Sequence, residues 1–514
     1  MYLVVITVSI ALIVACFSRW QSMSRWKRSG IPGPQPHPLM GNSLELAKNG
    51  MFATFTKWSQ AFGQIVGFYI GGHPQLLIAD LELTRRVLIK DFASFADHHG
   101  IIKGGIHPQS GLRHWLVWAH GDQWRKIRSA TSSVFTGSRI RSVEPKFQSS
   151  AIKLVDKLHQ LANGQAEIDV CPIISESLLR ISLSTIIGAD EISLEDVNCQ
   201  TMAIYRTFID GLKLDKSLLA MMMVLFPSLT PLLYPIRWVW EEVRFQLRWS
   251  IEGIAWRLTE DIVEHRLSET KTTKRDLISN LMAARKGNHQ KPWSTDKKTE
   301  TEGLSRDEII SNAMMFLLGG FETTATALQY TIHNLVNHQD IQEQLRNDLM
   351  AMAKQNGGDL SVKQLEQVPL LKAVIKESLR LYPPLALFVS RVALVDYEYE
   401  NMVIPKGTGI FIGLGSIHLN PDNWPEPEKF KPERFMDNDE ADKMTFLTFG
   451  AGPRYCMGTA FAYNELMILV SQIVMRSRLE PGPSTEIGQI QTKETVSTLV
   501  PKNGVFCKIK PIDH

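Results

Sequence analysis

The chain has 514 residues, 44% hydrophobic and 21% charged, with a formal net charge of +3. That balance excludes a disordered chain, and so small a charge excess with no long basic run excludes a dedicated nucleic-acid binder. Its five cysteines, Cys16, Cys171, Cys199, Cys456 and Cys507, are scattered and odd in number, which suits a reducing compartment better than a disulfide framework.

The chain opens with MYLVVITVSIALIVACF, an uncharged apolar run followed by Arg19, Arg25, Lys27 and Arg28. As a helix it spans about 25 Å, enough for a thin bilayer such as that of the endoplasmic reticulum. Positive charge after the run and none before it places the remainder in the cytosol. A cleaved signal peptide is the other reading, but its usual basic leader is missing. Residues 1–18 are therefore expected to form a single-pass anchor and 19–45 a basic, proline-rich hinge. Pro32, Pro34, Pro36 and Pro38 make that hinge a stiff extended spacer. Residues 46–514 form the folded body.

In the body, QIVGFYIGGHPQLLIAD (64–80) predicts two short strands joined through Gly71-Gly72, with Asp80 capping a helix over LELTRRVLI. Most of 140–380 carries helical periodicity, and YEYENMVIPKGTGIFIG (397–413) predicts a second strand pair. The fold class is thus mainly α with small β-sheets. LLAMMMVLFPSLTPLLYPIRWVW (218–240) is apolar but interrupted by Pro227, Pro231 and Pro235. It reads either as a buried helix pair or, with Trp238 and Trp240 flanking it, as a surface patch that dips into a bilayer. Residues 286–303 are polar and aperiodic and read as an exposed loop. Ser305-Arg306-Asp307-Glu308 then forms a capping box that opens a long helix.

That helix is apolar on nearly every side, hence buried and central. Its middle reads Gly319-Gly320-Phe321-Glu322-Thr323-Thr324. Each interior glycine costs about 1 kcal/mol relative to alanine, and a carboxylate there is expensive to bury. Such clustered violations of local rules mark functional sites. Glycines admit a flat ligand to the backbone, a threonine hydroxyl can donate to it, and a neighbouring acid can relay protons. A plain Gly-Gly helix crossing with Glu322 paired to an arginine remains the bland alternative. Downstream, Glu377 and Arg380 share a helix face at i, i+3, and Arg434 follows in FKPERFM. A buried cluster of the three would lock that irregular segment onto the helix. Last comes FLTFGAGPRYCMGTAFA (446–462), with Cys456 between glycines, just ahead of a helix.

The pattern Phe449-x-x-Gly452-x-Arg454-x-Cys456-x-Gly458 resembles the haem-binding signature of the cytochrome P450 family. Gly319-Gly320-x-Glu322-Thr323-Thr324 is similar to that family's oxygen-binding segment. Glu377-x-x-Arg380 with Arg434 resembles its Glu-Arg-Arg core, and Trp124-x-x-x-Arg128 its propionate-binding pair. The resemblance spans about residues 30–510 and implies the P450 fold, with haem b (iron protoporphyrin IX) between the long central helix and the Cys-loop helix. It implies Cys456 as the metal ligand, with Phe449 shielding the sulfur and Gly458 allowing close approach to the porphyrin. A thiolate at Cys456 would be stabilised by backbone N–H groups and the helix N-terminus. The resemblance further implies Trp124, Arg128, Arg391 and Arg454 at the propionates, and Thr323 with Glu322 as the catalytic pair that handles O2 and its protons. Phe316, Gly319, Gly320, Phe321, Leu385, Leu387, Phe388 and Leu499 would line an apolar substrate pocket.

The activity implied by the resemblance is that of a membrane-bound monooxygenase acting on a steroid, fatty acid, terpenoid or xenobiotic. No flavin or dinucleotide motif is present, so electrons from NADPH would come through a separate flavoprotein reductase. Arg125, Lys126, Lys429 and Lys431 are candidates to dock its acidic face, or are simply solvated surface. A haem-thiolate isomerase or dehydratase that rearranges a lipid peroxide is the alternative, disfavoured by the Glu322–Thr323 pair. A haem sensor or electron carrier is a third. LSRDEIISNAMMFLLGGFETT is also similar to the animal drug- and steroid-oxidising branch.

Overall fold

Ser305 ends the loop before the longest helix and caps it: its hydroxyl accepts the Glu308 N–H (3.2 Å), while Glu308 accepts the Ser305 N–H (2.8 Å). The computed structural model that contains this helix describes residues 19–99, 111–132, 135–187, 207, 219, 222, 223, 230–247, 250–268, 277–283, 304–385, 389–436, 444–495 and 498–512. The expected anchor (1–18) and the polar segment 286–303 lie outside the described residues. Among those described, no helix is long and apolar enough to cross a membrane.

Described helices of twelve or more residues are α1 (Met51–Phe62), α2 (Gly121–Ser132), α3 (Gly137–Ala162), α4 (Cys171–Ser182), α5 (Thr230–Gln246), α6 (Ile251–Ser268), α7 (Arg306–Asn337), α8 (Gln339–Asn356), α9 (Pro369–Leu381) and α10 (Thr459–Arg476). Helix α7 is the apolar rod that the sequence predicts and packs against α4, α6, α9 and α10. Shorter strands frame this bundle. β1 (Ile65–Ile70) and β2 (His73–Ile78) form the expected hairpin. Asp80 then accepts the Leu83 N–H (2.7 Å) as a helix cap. Strands β4 (Ser390–Val392) and β7 (Gly409–Ile412) complete a sheet of order β1-β2-β7-β4, in which β2 and β7 run parallel. Segment 397–413 therefore holds three strands rather than one pair. β5 (Tyr397–Tyr399) and β6 (Met402–Ile404) make a separate hairpin. In a third sheet β11 (Phe506–Pro511) joins β3 (Ile168–Asp169) to β8 (Ser477–Glu480), and β9 (Thr492–Glu494) pairs with β10 (Leu499–Pro501).

Two expectations change on contact with the structure. The proline-rich segment is not a free spacer. Trp26 is buried, its indole N–H donates to the Phe68 carbonyl (3.1 Å), and the Gly67 N–H donates to Pro32 (2.8 Å). The prolines make the segment stiff, but one tryptophan decides where it lies. Pro231 and Pro235 also do not break their segment. Pro231 sits in the first turn of α5, where a missing N–H is harmless, and the helix runs through Pro235. Leu232, Ile236, Val239, Trp240, Val243 and Leu247 form an exposed apolar stripe along α5, Leu232 being 69% exposed. Of the rest of 218–229, only residues 219, 222 and 223 are described.

Helix α9 buries Glu377 and Arg380 completely. The two form a bidentate pair (2.7 and 2.8 Å), and Glu377 also accepts Arg434 Nε (3.3 Å) and the Lys431 N–H (2.9 Å). Arg380 Nη1 donates to the His418 carbonyl (2.7 Å). Glu377→Ala would strand a buried guanidinium and is expected to cost about 3–5 kcal/mol. Urea unfolding of the variant measures that loss, and an unchanged midpoint would contradict the lock.

Candidate active site

The loop before α10 is shaped by its glycines. Gly450 and Gly452 both adopt φ +70°. A Cβ on Gly452 would run into the Leu88 carbonyl, so the loop lies backbone to backbone against the segment after β2. The Cys456 N–H donates to the Phe449 carbonyl (2.9 Å), and Thr459 Oγ1 donates to the Cys456 carbonyl (2.8 Å). Arg128, on α2, donates to the Tyr455 carbonyl (3.0 Å) and lies 4.8 Å from the Tyr455 ring centre. The Phe449 ring packs against Tyr463 (5.2 Å). Cys456 is accessible, yet it sits deep enough for burial to push its thiol pKa up. The Gly458 N–H, the Thr459 hydroxyl and Arg128 pull the other way without overcoming burial. The expected thiolate stabilisation is thus present in kind but does not by itself ionise the sulfur.

Arginines converge beside this loop. Arg391, at the centre of β4, is buried; it donates Nη1 to its neighbour Ser390 (2.7 Å) and meets His98 Nδ1 (3.4 Å), while its Nε has no partner. Burial first and Arg454 second lower its pKa to about 9. Arg454 stacks on the Trp124 ring (4.3 Å). It donates to the carbonyls of Ala96 (2.9 Å), Leu116 (3.2 Å) and Ala119 (2.9 Å) and to Asp97 (3.4 Å). Burial, opposed by Asp97 and reinforced by Arg128, lowers Arg454 to about 10. Burial works to raise Asp97, but His120, the Gly121 N–H and Arg454 prevail and lower it. His98 is buried and held neutral by that burial and by Arg391 and Arg454.

On α7, a Cβ added to Gly319 would meet nothing within 4 Å, whereas one on Gly320 would press on Ile186 (2.9 Å). Thr323 Oγ1 donates back to the Gly319 carbonyl (2.6 Å) and Thr324 Oγ1 to that of Gly320 (2.9 Å). Glu322 accepts the Thr498 hydroxyl (2.8 Å), and the Leu499 N–H donates to Pro384 (2.9 Å), beside Leu385. The Thr498–Leu499 step at the start of β10 therefore ties the Glu322 turn to the Pro383–Leu385 turn. Phe316 and Phe321 are buried on α7, Phe316 edge-on to Phe135 (5.3 Å), and the Leu499 carbonyl accepts the Tyr330 hydroxyl (3.0 Å). Leu387 and Phe388 lie outside the described residues.

An accessible cysteine in a glycine-built loop, a nest of buried arginines and a central helix open at one glycine occur here together, and the cytochrome P450 family profile matches residues 31–508. The chain belongs to the cytochrome P450 family. It is similar to Cytochrome P450 6a2 of Drosophila melanogaster, with 30% identity over 91% of this chain and 91% of the relative. It is also similar to Cytochrome P450 3A29 of Sus scrofa, with 28% identity over 95% and 92%. Cytochrome P450 3A28 of Bos taurus is 27% identical over 95% and 94%. Family membership makes the chain an oxidoreductase of the monooxygenase type that works with haem iron and O2.

The residues present fit that cofactor. Among the described residues at this nest, three guanidiniums face one carboxylate, Asp97, an excess of two positive charges. Haem b carries two propionates. The buried, partnerless Nε of Arg391 is a donor without an acceptor, and a thiol is the soft donor that haem iron takes. Sequence reasoning missed Asp97, His98 and His418, because Asp97 and His98 lie in irregular backbone, His418 ends a five-residue helix, and no periodicity marks them. His418 is buried and neutral, its pKa lowered to about 3 by burial and then Arg380. Its Nε2 accepts the Leu447 N–H (2.9 Å), so Nδ1 carries the proton and donates to the Arg380 carbonyl (3.1 Å). Of the basic docking candidates, Arg125 pairs with Asp122, Lys126 with Glu308 (2.8 Å), and Lys429 and Lys431 share Glu426, which leaves one positive charge over at that pair.

Arg391→Met is expected to release haem at least tenfold faster to a haem acceptor, since a hydrogen bond to a charged group is worth about 1.5–3 kcal/mol. The haem-free variant should melt close to wild type, because relief of the buried charge and its unpartnered Nε offsets the lost Nη1 contacts with Ser390 and His98. A lower melting temperature with unchanged haem release would reverse that assignment.

Proposed function

We propose that the chain is a membrane-anchored haem-thiolate monooxygenase that inserts one oxygen atom of O2 into a lipophilic substrate, with electrons delivered from NADPH through a separate flavoprotein reductase. Cys456 is its iron ligand, and Trp124, Arg128, Arg391 and Arg454 form the propionate nest. The observation that carries this reading is the fault in α7, which opens at Gly319 and presents an accessible Thr323 hydroxyl next to the Glu322 carboxylate.

When bound, haem supplies the oxygen-activating and electron-transfer chemistry. The protein's own groups supply positioning and protons. Thr323 Oγ1 gives its hydrogen to the Gly319 carbonyl at rest and keeps lone pairs free to accept, so it can pass a proton by rotating one bond. Glu322, held by Thr498, is half-exposed and can exchange protons with solvent. Two electrons and two protons then balance the reaction: one oxygen enters the substrate and the other leaves as water. Apolar Phe316, Phe321, Leu385 and Leu499, with Leu387 and Phe388, suit a lipophilic substrate such as a steroid, fatty acid, terpenoid or xenobiotic. The Glu322–Thr323 pair favours this chemistry over a peroxide isomerase, which needs no proton supply.

Cys456→Ser should abolish the red-shifted reduced-CO absorption band of haem-thiolate proteins. Thr323→Ala should keep that band while product formed per NADPH consumed falls by about tenfold to 100-fold. A persistent band in the first variant, or unchanged coupling in the second, overturns the corresponding role.

Residues 1–18 are proposed as an endoplasmic-reticulum anchor, and the exposed α5 stripe as a second membrane contact. Removal of residues 1–18, which spares the structural Trp26, should release part of the protein from microsomes. Adding Leu232→Glu and Trp240→Glu should release the rest. Full retention of the doubly altered protein on membranes would refute both contacts.

A further inference from the structure

Strands β9 and β10 bring two hydroxyls into line with Glu322. The strands are tied down on both sides. Glu494 of β9, opposite Leu499 of β10, accepts the Met51 N–H (2.6 Å) and the Phe52 N–H at the start of α1. The Leu499 N–H donates to Pro384 (2.9 Å). Thr495 and Thr498 follow and precede these two anchors. The Thr495 N–H donates to the Thr498 carbonyl (2.8 Å), and the Thr498 N–H donates to Thr495 Oγ1 (3.1 Å). Those backbone bonds set the two hydroxyl oxygens 2.7 Å apart. Thr498 is buried and its Oγ1 donates to Glu322 Oε1 at 2.8 Å, whereas Thr495 is half-buried.

Counting hydrogens gives the line a direction. A threonine hydroxyl has one hydrogen to give. Thr498 gives its own to Glu322, so Thr495 is the donor in the 2.7 Å contact, with the Thr498 carbonyl (3.1 Å) as its other acceptor. Hydrogen bonds therefore run from Thr495 through Thr498 to the carboxylate, and each polarises the next. The line also approaches Glu322 through the protein rather than through the pocket. A lipophilic substrate against Phe316, Leu385 and Leu499 expels water from that pocket. Protons must still arrive while it is seated, and the hydroxyl line needs no water there.

We propose that Thr495 and Thr498 form a hydroxyl relay that returns protons from solvent to Glu322 while substrate fills the pocket. The proposal rests on the proton role given to Glu322 above. Once Glu322 has lost its proton towards Thr323, one O–H bond breaks and one forms at each step. Thr498 passes its hydrogen to Glu322 Oε1, and Thr495 passes its hydrogen to Thr498 Oγ1. A hydronium ion from solvent then replaces the Thr495 hydrogen and leaves as water. No electron moves, and rotation about the two C–O bonds resets the line. Both threonines act through Glu322 and are positioning residues for its proton.

The test uses the full-length haem-loaded protein with a flavoprotein reductase. The lipophilic probe is an alkoxyresorufin ether selected for the Soret shift it gives on binding. Thr498→Val and Thr495→Val keep the side-chain shape and delete a hydroxyl. Each should lower product formed per NADPH several-fold, raise hydrogen peroxide release and enlarge the solvent deuterium isotope effect on product formation. Haem content and probe affinity should not change. Thr498→Ser and Thr495→Ser retain the hydroxyl and should restore coupling towards wild type. In a Glu322→Gln background neither valine change should lower coupling further. If Thr498→Val impairs coupling and Thr495→Val does not, Thr498 merely holds the carboxylate and the relay is refuted. Should Thr498→Val fail to accumulate, Thr495→Val decides alone, since its hydroxyl reaches Glu322 only through Thr498. If Glu322→Gln lowers coupling and the valine variants do not, the relay falls and the role of Glu322 stands. If Glu322→Gln leaves coupling intact, that role falls and the relay with it.

Discussion

The buried Glu377–Arg380 pair is the constraint on which the cysteine side of the molecule depends. Two charges can be withdrawn from water only if their lone pairs and N–H groups find partners. Glu377 accordingly takes Arg380 twice, Arg434 and the Lys431 N–H, while Arg380 reaches the His418 carbonyl and lies 5.3 Å from the Trp424 ring centre. His418 must then be neutral, because a second cation beside Arg380 would be uncompensated. In that state its two ring nitrogens bridge the Arg380 carbonyl and the Leu447 N–H. The described backbone at His418, Lys431, Arg434 and Leu447 is thereby tied to one ion pair. An apolar replacement of the same volume could match its stability, but it would not specify where those carbonyls and amides go. Since α9 also packs on α7, the pair sets the cysteine loop relative to the central helix.

The arginine nest obeys the opposite logic. Arg391 and Arg454 are each depressed by burial, and the one carboxylate beside them among the described residues does not balance the site. A fold selected for its own stability would not keep a buried guanidinium nitrogen without an acceptor. Arg454 is nearly saturated: four of its N–H donors go to Ala96, Leu116, Ala119 and Asp97. It therefore works mainly as a staple that carries charge, whereas Arg391 has free donor capacity. The equal roles suggested by sequence separate once the donors are counted.

Legibility in the sequence tracked the range of each signal. The capping box at Ser305, the β1–β2 hairpin, the Asp80 cap and the apolar α7 are written within a few residues and could be read directly. The Glu-Arg-Arg cluster was legible through two motifs 54 residues apart, as the Glu377 bond to the Lys431 N–H reflects. Asp97, His98 and His418 were not, since each is defined only through partners distant in the chain. The docking of Trp26 and Pro32 on β1 was not legible, because prolines state how stiff a segment is and not what it touches. The pairing of one surface cation was written in the sequence, since Asp122 lies three residues before Arg125 on one helix; the Glu426–Lys429 pair was not, since it forms in a turn.

The fault in α7 shows how one helix can serve two ends. Thr323 and Thr324 make the same back-bond to consecutive glycine carbonyls, yet successive residues on a helix diverge by about 100°. One hydroxyl consequently belongs to a partly accessible residue and the other to a buried one. The first has room to change partners, whereas the second is held among buried neighbours. Two adjacent glycines with two adjacent threonines four residues on thus place one accessible and one buried back-bonded hydroxyl on the same turn of the helix.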